Sequence, residues 1–232
     1  MPGLIANVIA VIIGGLIGLV IRSGLSVRFK TMVTNAIGLS CLFIGGANAF
    51  SGLLSDYSHP VLFIISLVIG GLIGEFLDLD ARIHGLGMLI ERRLGTEGFA
   101  KGFATASLFF CVGSMAIIGS IEAALMNNYN ILFAKSALDG ITAVVLAASY
   151  GFGVMFAAAS VFVYQGAILL AAGGLAQFMT DDAVRELSIV GGILIFAIGI
   201  NMLEIKRLKV ANFLPGLFVP VVYYAIIERF FS

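Results

Sequence analysis

Between Ser136 and Met179 the chain runs for 44 residues with one charged side chain, Asp139. A helix that crosses a bilayer needs about 20 mostly apolar residues. This stretch is too long for one crossing and about right for two. The turn between them is expected at Gly151-Phe152-Gly153, because glycine permits the backbone to reverse there.

The rest of the chain divides in the same way, with charges marking the breaks. Spans are predicted near residues 3–21, 32–54, 60–77, 102–121, 133–151, 154–178, 187–205 and 211–229, giving eight, or seven if the glycine turn is absent. Composition agrees: 60% of residues are hydrophobic, 11% are charged and the mean hydropathy is +1.12. A soluble domain has about 25% charged residues. The apolar excess has to face lipid, so the expected fold is an all-α polytopic transmembrane bundle forming a single domain over residues 1–232. Met1-Pro2-Gly3-Leu4 lacks the basic leader and cleavage site of a signal peptide, and the first apolar run reads as a retained helix.

Net charge is zero, so the placement of charges carries the information. With eight spans, the loops after the first, third and seventh hold Arg22, Arg28, Lys30, Arg82, Arg92, Arg93, Lys101, Lys206, Arg207 and Lys209. The other side holds Lys135, Arg185 and Arg229. Lys and Arg accumulate in short cytoplasmic loops, so both termini are expected outside the cytoplasm. Between Asp78 and Lys101, Ile83, Leu86, Leu89 and Ile90 alternate at helical spacing with Arg82, Glu91, Arg92 and Arg93. This pattern predicts an amphipathic helix on the cytoplasmic membrane face, with a plain solvated helix as the alternative.

Several spans echo one another. Ile13-Gly14-Gly15-Leu16-Ile17-Gly18 recurs as Ile69-Gly70-Gly71-Leu72-Ile73-Gly74, and more weakly as Ala172-Gly173-Gly174-Leu175-Ala176. Gly38, Ile44-Gly45 and Asn48 are matched by Gly192, Ile198-Gly199 and Asn201. The first and second spans run opposite to the sixth and seventh, which is the arrangement of inverted-repeat transporters. Close helix packing at small-xxx-small pairs explains Gly14/Gly18 and Gly70/Gly74 more simply.

Polar groups inside spans are costly and mark candidate sites. The fourth span carries Gly113-Ser114 and Gly119-Ser120, which could interrupt the helix and expose backbone groups to an ion or solute. The fifth opens with Lys135-Ser136-Ala137-Leu138-Asp139-Gly140, so Lys135 and Asp139 share a helix face and can neutralise each other. Asn7, Asn35, Asn48, Gln165, Asn201 and Asn212 are further polar residues, amides that can serve as glue between helices, and Glu75 and Glu204 sit near span ends, Glu204 beside Lys206 and Arg207 as a surface ion pair. Pro215 and Pro220 should kink the last span. Cys41 and Cys111 lie in apolar stretches and read as small hydrophobes.

An enzyme is not expected. His59 and His84 fall on opposite membrane sides, and HExxH, CxxC, a dense carboxylate cluster, phosphate loops and nucleic-acid-type basic patches are missing from the sequence. No cofactor is implied. The expected partners are the bilayer and a small solute or ion, with no nucleic acid, and a homo-oligomer is allowed.

The Asn7–Gly18 opening, the Cys111–Ser120 segment, Lys135–Gly140, Tyr164-Gln165-Gly166 and Val210-Ala211-Asn212-Phe213-Leu214-Pro215 resemble the YdfK/YqgA-type bacterial membrane proteins, a domain-of-unknown-function family, over essentially the whole chain. The resemblance implies a bacterial inner-membrane protein described as a membrane or transport protein, with no settled substrate. Ser114 departs from the pattern, where proline or alanine is expected of relatives. The reading that results is a transporter or channel with its pathway along Gly113, Ser114, Gly119, Ser120, Lys135, Ser136 and Asp139 and the amides Asn35, Asn48, Gln165, Asn201 and Asn212. The alternative is a membrane scaffold or assembly protein.

Overall fold

The computed structural model describes residues 1–24, 26–55, 59–95 and 98–231, and the side chain of Arg229, counted above among the loop charges, lies outside the described ones. Among the described residues there are ten α-helices. They are α1 (Pro2–Gly24), α2 (Val27–Leu53), α3 (Pro60–Leu77), α4 (Leu79–Leu94), α5 (Phe99–Cys111), α6 (Ser114–Leu125), α7 (Asn130–Tyr150), α8 (Gly153–Leu175), α9 (Asp181–Met202) and α10 (Val219–Phe231). A short 3₁₀ turn, Ala176–Phe178, extends α8, and a longer one, Val210–Phe218, leads into α10.

By length and composition α1, α2, α3, α7, α8 with its extension, and α9 can each cross a membrane. The pair α5 and α6, bent by 60° at a short break, makes a seventh crossing if counted as one span. The expected turn at Gly151–Gly153 separates α7 from α8. The predicted last span is a composite, Val210–Ile226, shorter than the others. Its reason is Pro215, which lacks the donor for α-helical pairing and lies in the 3₁₀ stretch. A 3₁₀ helix rises about 2.0 Å per residue against 1.5 Å in an α-helix, so the composite still reaches about 30 Å, roughly the thickness of the hydrocarbon layer.

Between helices in lipid there is no hydrophobic drive to associate, so close packing at small residues decides who meets whom. A β-carbon on Gly14 or Gly18 would overlap the Gly140 or Val144 carbonyl oxygen, which fixes α1 along α7 with both running in one direction. Gly45 and Gly199 of α2 and α9 sit against the backbones of Gly192 and Gly38, so these helices run in opposite directions. Gly70 and Gly74 lie on Gly216 and Asn212, which sets α3 antiparallel to the long 3₁₀ segment. Leu4 lies near Gly166 and Met155 near Gly15, so α1 and α8 oppose each other. The echo between α2 and α9 is therefore a glycine seam between the two helices themselves. The weaker copy in α8 differs: Gly173 and Gly174 face open space.

Side chains close the ends. Arg22, at the end of α1, donates to the Ser149 carbonyl at the end of α7 at 2.5 Å, a cation placed where unpaired helix carbonyls gather. Glu91 of α4 accepts the Gly98 and Ala100 backbone N–H groups at 3.2 and 2.8 Å and so caps α5. Thr180 accepts from Ala183 N at 3.2 Å and, with Asp181 and Asp182, starts α9. α9 is the central helix: 61% of its apolar window is buried, against 22–44% in the other full-length spans. Exposed Ile5, Ile9, Ile13, Leu16 and Val20 on α1, and Val61, Leu72 and Phe76 on α3, form the apolar exterior that lipid would cover. α4 is the expected amphipathic helix, with Leu86 and Leu89 exposed on it.

The glycine seams predict that Gly18→Val and Gly74→Val each lower thermal stability in detergent by about 1–3 kcal/mol, the cost of overpacking a tight contact. Gly174→Ala, into open space, should be neutral or stabilising by up to about 1 kcal/mol. Equal losses at all three positions would show that the seams do not hold the bundle.

Candidate functional site

Asp139 is the tenth residue of α7, about 13 Å along a helix of roughly 30 Å, and so lies near its middle. Its carboxylate is 4% exposed and Lys135, one turn earlier, is 7% exposed. Lys135 Nζ approaches Asp139 Oδ2 at 2.6 Å, and Asn7 Nδ2 of α1 donates to the same oxygen at 3.0 Å. Asn7 is fully buried, and it reaches Asp139 because the Gly14 and Gly18 contacts hold α1 in register with α7. A charge at this depth is tolerated only when paired and hydrogen-bonded, which is the arrangement found. Lys135 therefore belongs to the bundle interior and not to a loop. Removing it from the loop count leaves ten basic residues against two, Arg185 and Arg229.

The break between α5 and α6 lies beside this pair. Cys111, the last residue of α5, is within electrostatic range of Lys135, Asp139 and Tyr164. Gly113 carries φ 145° and ψ 145°, a backbone conformation that favours glycine, so the helix breaks here without the proline expected at the next position. Gly113 packs near Gly191 of α9, within ordinary contact distance. The break leaves helix-end carbonyl and N–H groups without α-helical partners next to Cys111.

Helix registers bring three more groups to this level. Ser107 of α5 bonds Ser160 of α8 at 2.8 Å, so Cys111, four residues on, is level with Tyr164. The antiparallel run of α1 on α8 puts Tyr164 and Gln165 level with the turn of Asn7. Gln165 is fully buried, and both of its amide atoms lack a hydrogen-bond partner, as do Tyr164 OH and Asn7 Oδ1. Unpaired buried polar atoms are rare and expensive, at about 1–3 kcal/mol each. The layer is thus neutral in sum, with donors and acceptors left over for a small polar species.

The other predicted positions divide. Ser136 and Ser120 give their hydroxyls to Leu132 and Ala116 carbonyls at 2.6 and 2.7 Å within their own helices. Gly119-Ser120 does not interrupt α6, and Gly119 is a packing contact with Ile131 and Leu132. Ser114 opens α6 just past the break. Asn35 and Asn48 lie on the exposed face of α2, away from the layer. Asn201 holds Leu208 through two hydrogen bonds, of 2.8 and 2.7 Å, and pins the chain after α9. Asn212 donates to Glu75 at 2.6 Å and accepts from Asp80 N at 2.7 Å, joining α3, α4 and the 3₁₀ segment. Glu204 pairs with Lys101 at 3.7 Å and not with its neighbours Lys206 and Arg207. Glu75 pairs with Lys209 at 2.5 Å, a hydrogen bond that holds the exposed ammonium above the usual lysine range.

A cavity of about 400 Å³ opens at the end of the bundle that carries Lys101, Lys206 and Arg207. His84, Asp80, Asn201 and Glu204 also line it, and along α5 it follows Ala104, Thr105 and Leu108. It stops one helical turn short of Cys111. The sequence reading missed one buried acid, Glu186, because it began the seventh span at residue 187. The Thr180-Asp181-Asp182 start signal, read as a helix cap, would have included it.

A family described as a protein of unknown function (DUF554) matches residues 2–225. The uncharacterized membrane protein YdfK of Bacillus subtilis (strain 168) is 38% identical over 230 residues, 99% of this chain and 98% of that protein. The uncharacterized protein YqgA of Escherichia coli (strain K12) is 28% identical over 218 residues, 91% of each. No solved structure matches the chain. With its apolar helices and a family match over nearly its whole length, the chain is a membrane protein and belongs to the DUF554 family.

Proposed function

We propose that this protein is a secondary transporter or channel moving a small solute or ion across the bacterial inner membrane. The pathway runs through the layer between the α5–α6 break and α7, with eight crossings and both termini outside the cytoplasm. The observation that carries the reading is the paired, buried Lys135 and Asp139 beside an interrupted helix and the unpartnered amide of Gln165. Such ends and polar atoms are where a transporter holds its cargo at mid-membrane. The vestibule ending at Leu108 adds to it: on this reading one turn of α5 closes the site from the basic, cytoplasmic end. The opposed runs of α1 with α8 and α2 with α9 fit an inverted repeat. Catalysis and a cofactor have no part in this reading.

A scaffold or assembly role is the second reading. It is favoured by the fact that Asp139 does not line the cavity, so the polar groups could serve to lock helices together.

Flux into liposomes separates the two. Asp139→Asn and Ser114→Leu, in folded reconstituted protein, should each lower the flux of a transported solute by about tenfold or more. If flux of every transported solute is unchanged, the pathway is wrong. If those substitutions only lower thermal stability and nothing crosses for the wild type, the scaffold reading takes its place.

Orientation is tested by single cysteines at Ser23 and Asn127, both exposed at bundle ends. An impermeant maleimide added to intact spheroplasts should label Asn127→Cys and spare Ser23→Cys. The reverse pattern overturns the assignment of the termini.

A further inference from the structure

Glu186 lies in the second turn of α9, at the end of the bundle opposite Lys101 and Lys206, and is fully buried. Its Oε1 accepts the His59 backbone N–H at 2.8 Å, ahead of α3, while Oε2 has no hydrogen-bond partner. One turn earlier on the same face, Ala183 packs with Leu62 of α3 and Tyr224 of α10. The Tyr224 hydroxyl is also buried without a partner and lies within electrostatic range of Glu186. Two oxygens from different helices thus lack partners beside the Leu62–Ala183–Tyr224 contact.

The charges nearby do not account for the open oxygen. On α9, Arg185 is ion-paired with Asp182. α10 contributes Tyr223 and Tyr224, and the segment before α3 contributes His59. α6 faces this part of α9 through Ile117 and Ile121, which pack with Leu187, and α2 meets it at Gly52. Among the described side chains, Asp182, Arg185 and Glu186 sum to one negative charge. A buried carboxylate with no opposite charge of its own is costly, and it is the usual place for a cation to be held.

We propose that Glu186 and Tyr224 form a binding site for a small monovalent cation, a sodium ion. Among the described residues no three His, Cys, Asp or Glu side chains gather as a multivalent metal would require, and a single carboxylate suits a single charge. The site is separate from Lys135 and Asp139, where the countercharge is built into the protein. Its place at the far end of the central helix lets occupancy there bear on how α3, α9 and α10 pack.

The test reads binding and not flux, so it stands apart from the transport assignment. Purified full-length protein in detergent is unfolded thermally in a series that replaces choline chloride by sodium chloride at constant pH and ionic strength. A ligand taken up by the native state alone stabilises it, by about 2.7 kcal/mol at 100 times its Kd, or about 5–10 °C for a chain of this size. The wild type should rise by that amount across the series. Glu186→Gln, which keeps an acceptor for His59 N–H but carries no charge, should be flat in it, Tyr224→Phe should respond less, and Gly174→Ala, in open space, should respond as the wild type does. A wild type flat across the series overturns the site, as does a response retained in Glu186→Gln or lost in Gly174→Ala. Should Glu186→Gln fail to fold, a Tyr224→Phe response equal to the wild type's overturns it equally.

Discussion

The bundle depends on places where one helix lies directly on the backbone of another. In water, burying apolar side chains would pull helices together, but a lipid tail is as apolar as leucine, so that drive is missing here. What remains is dispersion at short range, which falls away within an ångström of extra separation. Gly14, Gly18, Gly45, Gly70, Gly74 and Gly199 permit that approach along three seams, α1 on α7, α2 on α9 and α3 on the long 3₁₀ segment. A β-carbon at any of them would separate backbones that now touch.

The seams also set register, and register makes the polar layer. Asn7 meets Asp139 because α1 is held level with α7, and Gln165 arrives at the same height because α8 runs back along α1. None of these groups would be stable alone at mid-membrane. The Lys135 ammonium and the Asn7 amide converge on one oxygen of Asp139, so the charge is balanced and part of its hydrogen bonding is met locally. Gln165, Tyr164 OH and the second atom of the Asn7 amide are not so served, and they keep their capacity for an outside partner.

Much of this was readable from residue order. Apolar run length gave the spans, glycine pairs gave the turn at Gly151–Gly153 and the break at Gly113, and four-residue spacing gave Lys135 with Asp139. These are local signals, each set by the chain within a turn or two. The fate of the amides was not local. Asn35 and Asn48 sit in an apolar run as Asn7 does, but they face outward because the other side of α2 holds the glycine seam to α9. Asn201 and Asn212 turned to backbone and carboxylate partners supplied by Leu208, Asp80 and Glu75. Which face a residue shows depends on the partner helix, and a single sequence does not record the partner. Glu186 escaped because charges were taken to end spans, whereas α9 starts with a capped acidic turn and carries its acid inward.

The two buried acids pose different physical problems. Asp139 has its countercharge four residues away on the same helix, so its neutrality is fixed by covalent order and persists whatever the neighbouring helices do. Glu186 takes its hydrogen bond from the segment before α3, and its second oxygen has no partner, one turn from where Ala183 meets α3 and α10. Any change in how α3 and α10 sit on α9 alters that environment directly. α3 is also the helix whose other end is tied through Glu75 to Lys209 and Asn212, at the rim of the chain that follows α9. One helix, α3, thus begins beside Glu186 and ends in the Glu75 contacts, so both ends of the bundle are packed on a single element.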